Sequence, residues 1–286
     1  MFVILGATGQ VGGAAARGLL DRNMPVRAVV RDVGRADPLV ARGAQPALAD
    51  FSDAEALAAV MRGAEGAFVM LPPNFSPSRD YAEARTLAAT LRRALSAARP
   101  DRVVCLSSVG AHRESGLGLV TQLRILEQEL AALDLPVAFV RAAWFMENLR
   151  RDIPMVRATG ELPSFLQPLN RAIPMVATAD VGNLVAQTMQ TGWTGRRVLE
   201  IAGPGCCPND LAEALSAALR RPVRAVETER GRWEELLRGA GIPDPAPLME
   251  MVDGFNSGWI TFEGKTAESV RGETPLAEVV ASLVAE

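Results

Sequence analysis

The chain has one tyrosine, Tyr81, one lysine, Lys265, and one histidine, His112, among its 286 residues. Each scarcity removes a class of chemistry. A tyrosine followed four residues later by a lysine cannot occur, because the positions that would complete such a pair hold Arg85 and Thr261. A lone histidine, with no cluster of Cys, His and carboxylates at metal-ligand spacing, gives no expectation of a bound metal. Three cysteines, Cys105, Cys206 and Cys207, form an odd set, two of them adjacent. No disulfide framework is expected from them and a reducing cytoplasm fits. Adjacent cysteines would close only a strained ring, so Cys206 and Cys207 are read as packing residues. No apolar run reaches bilayer-spanning length and no charged leader precedes the first strand, which predicts a soluble, cytoplasmic protein. A formal net charge of −3 provides no general attraction to nucleic acid.

What is present is a fold-defining start. Hydrophobic residues make up 49% of the chain, enough for a substantial core in one large or two small domains. Met1-Phe2-Val3-Ile4-Leu5 reads as a strand that runs into Gly6-Ala7-Thr8-Gly9-Gln10-Val11-Gly12 and then a helix through Leu20. Glycines at positions 6, 9 and 12 allow a tight turn, close approach of a pyrophosphate, and close helix–strand packing. The N–H groups that open the helix, with its partial positive charge, favour phosphate. A dinucleotide site is expected at Gly6, Thr8, Gly9, Gln10, Val11 and Gly12. The second strand, 26 to 30, ends at Arg31 and Asp32. An acidic group there would take the ribose hydroxyls, whereas a guanidinium would grip a 2′-phosphate. Arg31 favours NADP(H), with Asp32 as the competing ribose ligand.

Strand and helix patterns alternate as in a doubly wound parallel α/β sheet of the Rossmann kind. Predicted strands are 2–5, 26–30, 45–49, 67–71, 102–106 and 136–140. Asp53 is positioned to cap a helix over 55–62, and 79–98 reads as a long alanine-rich helix ended by Pro100. A crossover helix is expected from about 119 to 133. Residues 1–150 form the NADP-binding core by this reading. Residues 151–286 form mainly a smaller α/β substrate lobe over the cofactor edge, with about 179–203 returning to the core sheet. Asp180 is read as opening a helix through Met189, and 197–202 as the returning strand. A capped helix over 208–219, a strand at 223–226 and helical stretches from Arg232 complete the lobe.

Taken in order, Gly6 to Gly12, Arg31-Asp32, Asp50-Phe51, Leu106 to Ala111, Arg141 to Asn148 and Ala179 to Gly182 resemble the NmrA-like group of atypical short-chain dehydrogenases/reductases. The resemblance spans nearly the whole chain. It implies NADP(H) binding, and membership among NAD(P)H:quinone reductases, reductases of phenylpropanoid-like aromatics, or cofactor-sensing regulators. Ordinary members of the wider superfamily protonate through a tyrosine made labile by a lysine four residues later, a pair this chain lacks. In the aromatic-reductase and sensor branches a lysine often stands four positions before a glutamate on the crossover helix; before Glu127 that position is Leu123. Through the resemblance, Asp50 and Phe51 are placed at the adenine, with capping of the following helix as the alternative for Asp50. Leu71, Pro72 and Pro73 are placed at the ribose.

The remaining candidates face the reacting end. Ser107 and Ser108 leave a strand toward the cofactor edge, where a hydroxyl could bond a substrate oxygen or the nicotinamide amide, or simply cap a turn. Ser107 is assigned to the cofactor and Ser108 to catalysis. His112, on the same loop, has a pKa suited to proton donation. Trp144 and Phe145 could stack on a flat acceptor, with Asn148 as donor and acceptor and Phe75 as an opposite wall. Phe255 and Trp259 are candidates for a lid. A quinone fits this equipment, because its reduction leaves a delocalised anion that water or a weak donor can protonate. The expectation is an NADPH-dependent oxidoreductase acting on a quinone or similar conjugated acceptor. The alternatives are a non-catalytic NADP(H) sensor acting through a protein partner, and a reductase or isomerase of another substrate.

Overall fold

A computed structural model describes residues 1–286. Eight strands form one wholly parallel sheet. Six of them are β1 (Phe2–Leu5), β2 (Val26–Val30), β3 (Gln45–Leu48), β4 (Gly66–Val69), β5 (Val103–Ser108) and β6 (Val137–Ala142). The strands Arg196–Ala202 and Glu268–Arg271 extend the sheet beyond β6, giving the order 268–271, 196–202, β6, β5, β4, β1, β2, β3. The chain leaves β1 toward β2 and β3, then returns to the other side of β1 with β4. That reversal opens a crevice between the C-terminal ends of β1 and β4.

Alternation along the strands divides the core into two layers. Phe2, Ile4, Val104 and Leu106 pack on one face against Ala15, Leu19, Val181 and Val185. Val3, Leu5, Val103 and Cys105 pack on the other against Leu57, Leu91, Leu95 and Leu126. Burial of both faces explains why these strands are apolar throughout rather than amphipathic. Helix α1 (Gln10–Leu20) and the helix Thr178–Gln190 cover the first face. The helices Ala54–Met61, Ala82–Ala98 and Thr121–Leu130 cover the second. A third cluster, with Trp233 fully buried at its centre, fills the smaller lobe. That lobe holds two short sheets, one joining 144–145, 173–176 and 205–206 and one joining 161–164 and 224–227. No helix is long and apolar enough to cross a membrane.

Two local readings change. The segment expected to continue as helix supplies the edge strand Glu268–Arg271, whose residues are largely exposed and show no buried face. Pairing with Arg196–Ala202 gives it the extended conformation, through backbone hydrogen bonds that leave no side-chain pattern. The Asp180 helix begins earlier, at Thr178, and Asp180 does not cap it. Its carboxylate accepts from the Thr274 N–H at 3.0 Å and hydroxyl at 2.7 Å, tying down the chain after the edge strand. Glu147, from the segment after β6, takes the capping role by accepting from the Thr178 N–H at 2.8 Å and hydroxyl at 2.6 Å. Cys207 and Asp210 cap Pro208–Leu219, and both adjacent cysteines are buried free thiols.

Candidate active site

The crevice begins at the glycine turn. Gly6 has φ +64°, and the Gly9 N–H closes the turn on the Gly6 carbonyl at 2.9 Å. A side chain at Gly12 would drive its Cβ into that same carbonyl, so this position requires glycine. No side chain caps α1 at Gly9, which leaves the N–H groups of Gln10, Val11 and Gly12 without intrahelical partners. A cleft of about 460 Å³ opens beside them, bounded by Thr8, Gly9, Gly13, Arg17, Arg35 and Arg42. Orphan N–H donors, a cradle that a Cβ would fill and three guanidinium groups suit a ligand with several phosphates.

At the end of β2 the two candidate cofactor ligands part company. Asp32 accepts from the Gly34 N–H at 3.1 Å and starts the short helix Val33–Ala36. Arg31 is exposed and in no ion pair. Arg35 sits on the Asp32-capped turn, while Arg42 is held by Asp21. Neither Arg17 nor Arg35 was singled out from sequence; the available signal was the recurrence of arginine around one glycine turn.

Asp50 ends the β3 segment, exposed, with one carboxylate oxygen accepting from the Ser52 N–H at 2.9 Å and hydroxyl at 2.5 Å. These bonds, assisted by Arg31, hold its carboxyl below the usual range. Helix capping falls to Asp53, which accepts from Glu55 and Ala56 at 3.0 Å each. Phe51 is half-buried beside it. Past β4, the Met70 thioether lies over Gly6, and the chain continues through buried Leu71 to Pro72 and Pro73.

The reacting end is organised by buried charge. Ser107, 4% exposed, donates its hydroxyl to Glu127 at 2.5 Å. Glu127 receives two bonds from Arg141, at 2.9 and 2.8 Å. Arg141 also donates to Glu263 at 2.5 Å and lies 3.8 Å from Glu200. Glu200 in turn accepts the N–H groups of Glu263 and Gly264. His112 approaches the Glu200 and Glu263 carboxylates to within 4.8 Å. Burial, with Arg141 adding to it, pushes the His112 pKa below its ordinary value, so the imidazole is neutral at neutral pH. The two carboxylates near His112 are engaged by Arg141 and backbone N–H groups, a donor set already spent rather than open to a cation.

Ser108 is half-buried at the end of β5, its hydroxyl directed to the Val109 carbonyl at 3.1 Å. Trp144 meets Phe255 edge to face at 5.2 Å. Phe145 packs against the α1 face of the core, and Asn148 is exposed. Phe75 lies under the Arg151 guanidinium. Trp259 donates to the Ser115 carbonyl at 2.9 Å and carries Arg113 on its ring, which draws the proposed lid segment to the His112 loop. Tyr81 turns away to donate to the Gly118 carbonyl at 3.0 Å.

The NmrA-like family model matches residues 1–256. An NAD(P)H azoreductase of Xenophilus azovorans is 28% identical over 246 residues, spanning 85% of this chain and 82% of its own. Quinone oxidoreductase 2 of Escherichia coli is 25% identical over 293 aligned positions, spanning 99% of this chain and 98% of its own. The structure of a Citrobacter triphenylmethane reductase complexed with NADP(H) superposes with a TM-score of 0.80 at 19% identity, over 99% of this chain and 100% of the other. On a match of that extent, together with the parallel sheet and its glycine turn, the chain belongs to the NmrA-like family.

Proposed function

We propose that the protein is an NADPH-dependent oxidoreductase that reduces a quinone or a similarly flat, conjugated acceptor. The observation that carries the cofactor half is the state of the β2 end: Asp32 is engaged in capping while Arg31 is exposed and in no close ion pair, and the turn that Asp32 caps carries Arg35 to the arginine-lined cleft. In this reading Gly6, Thr8, Gly9, Gln10, Val11 and Gly12 hold the pyrophosphate and Arg31 the 2′-phosphate. Asp50 and Phe51 flank the adenine, while Leu71, Pro72 and Pro73 border the ribose. Ser107 presents lone pairs to the carboxamide, since its proton is directed to Glu127. The nicotinamide, when bound, supplies the hydride.

The acceptor half rests on the absence of a strong, positioned acid. Tyr81 is turned to Gly118, and His112 is neutral. An acceptor that becomes an alkoxide would lack a proton donor here, whereas a quinone becomes a weakly basic hydroquinone anion. Two electrons and one proton arrive as hydride, and the second proton comes from water. Ser108 orients an acceptor oxygen, Trp144, Phe145 and Phe75 flank the ring, and Asn148 offers a further hydrogen bond. The named relatives reduce chemically related targets: an azo compound, a quinone and a triphenylmethane.

The test is NADPH oxidation, followed by absorbance, with a panel of benzoquinones and naphthoquinones and NADH for comparison. Saturable turnover preferring NADPH is expected. Protein that quenches NADPH fluorescence on binding yet turns over none of the panel would overturn this reading in favour of a cofactor sensor.

A further inference from the structure

The segment after β6 is a 3₁₀ helix, Met146–Arg151, in which side chains three residues apart lie one above the other. Asn148 and Arg151 therefore share a face. The Arg151 guanidinium reaches from it to the ring of Phe75, 4.3 Å from the ring centroid. Phe75 lies in the segment after β4. Because β4 and β6 are the two neighbours of β5, a contact between the segments that follow them passes over the C-terminal end of β5, where Ser108 sits. The Arg151–Phe75 pair is a strap across the proposed acceptor site.

Two features make this strap selective. Arg150 is held by Glu286, but Arg151 is exposed and makes no close ion pair, its charge acting only at a distance on the adjacent Asp152. The 4.3 Å separation also leaves no space for an intervening ring, which needs about 3.5–4.0 Å on each side. A flat molecule that stacks on Phe75 must displace the guanidinium.

We infer that Arg151 is a specificity-determining residue that selects flat acceptors carrying an anionic substituent, a sulfonate or a carboxylate; this rests on the reductase reading above. A neutral ring on Phe75 forfeits the cation–π contact and returns nothing to the arginine. An anionic ring offers the released guanidinium two oxygens in its own plane. Selectivity is the difference between these two balances.

The test compares 1,4-naphthoquinone with 1,4-naphthoquinone-2-sulfonate as acceptors for the NADPH-saturated wild type, Arg151→Gln and Arg151→Lys. Comparing the sulfonate-to-parent ratio of kcat/KM between wild type and variants cancels the different reduction potentials of the two quinones. That ratio is expected to fall about tenfold in Arg151→Gln, through a raised KM for the sulfonate, with Arg151→Lys between the two. An unchanged ratio overturns the assignment. If the wild type turns over neither quinone, the reductase reading fails separately. The subsite is then read by calorimetry of naphthalene-2-sulfonate with the NADPH-loaded protein. About a tenfold weaker affinity in Arg151→Gln is expected there, and equal affinity in the two proteins sinks the inference.

Discussion

The two ends of the crevice are built by opposite means. At the phosphate end, residues close in sequence do nearly everything: Gly6 to Gly12 shape the cradle, and Arg31 stands one residue past β2. Thr8, Gly9, Gln10 and Arg31 are exposed there, and the backbone supplies the donors. At the reacting end, buried residues 107, 127, 141 and 200 and the exposed residue 263 converge from across the chain into one network around a single guanidinium. The first end is a surface prepared for an anion from outside. The second carries its own cation, one guanidinium shared among three carboxylates. Mutations should therefore cost binding at one end and stability at the other.

The sharpest separation comes from Arg141. Replacing it with methionine leaves Glu127 and Glu200 buried with no cation, a change that costs about 3–5 kcal/mol when one partner of a buried pair is removed. Urea unfolding should show this loss, and adding Glu127→Gln should recover a good part of it. A loss below about 1 kcal/mol would mean that water enters the network and that the contrast between the two ends is weaker than drawn.

At the other end, Gly12→Ala should leave the core packed but push the turn open against the Gly6 carbonyl. NADPH affinity is expected to drop about a hundredfold, roughly 3 kcal/mol, measured by fluorescence quenching. Unchanged affinity would show that the turn can widen without losing the phosphates. Arg31→Ala is expected to act more selectively, weakening NADPH by about 1.5–3 kcal/mol, the range for hydrogen bonds to charged groups, and NADH much less. Equal weakening of both would place the 2′-phosphate elsewhere, with Arg35 and Arg17 the next residues to replace.

The same contrast explains what the sequence disclosed. Strand, glycine turn and helix are local, so the dinucleotide cradle, the parallel sheet and its first six strands follow from periodicity and spacing, and most boundaries shift by only one or two residues. Glu147 was visible only as part of a family-like stretch; its capping of the Thr178 helix depends on the chain folding back over a separation of 31 positions. The carboxylates beside His112 come from positions 200 and 263, which no spacing rule connects to position 112. The edge strand 268–271 was missed because edge strands with exposed faces need no apolar alternation. Arg151 over Phe75 likewise depends on strand order, which local sequence does not encode.

Asp152, next to Arg151 and outside the Arg141 network, tests whether carboxylate burial is always paired. It precedes the helix Ile153–Thr159 without capping it. Burial raises its pKa to about 6, with Arg151 only partly opposing. The folded protein therefore keeps this proton up to about pH 6, whereas the unfolded chain releases it near 3.8. Across that window the native state binds more protons than the unfolded state, so stability falls as pH rises and stays lower above it. Asp152→Asn removes the titration while keeping the shape. It should be close to neutral at pH 4 and stabilising by about 1–2 kcal/mol at pH 7, a value reduced for partial solvent access. Guanidinium unfolding at the two pH values reads the difference directly. An equal effect at both would mean that solvent reaches the Asp152 carboxylate, and that carboxylate burial at this end is confined to the groups Arg141 already holds.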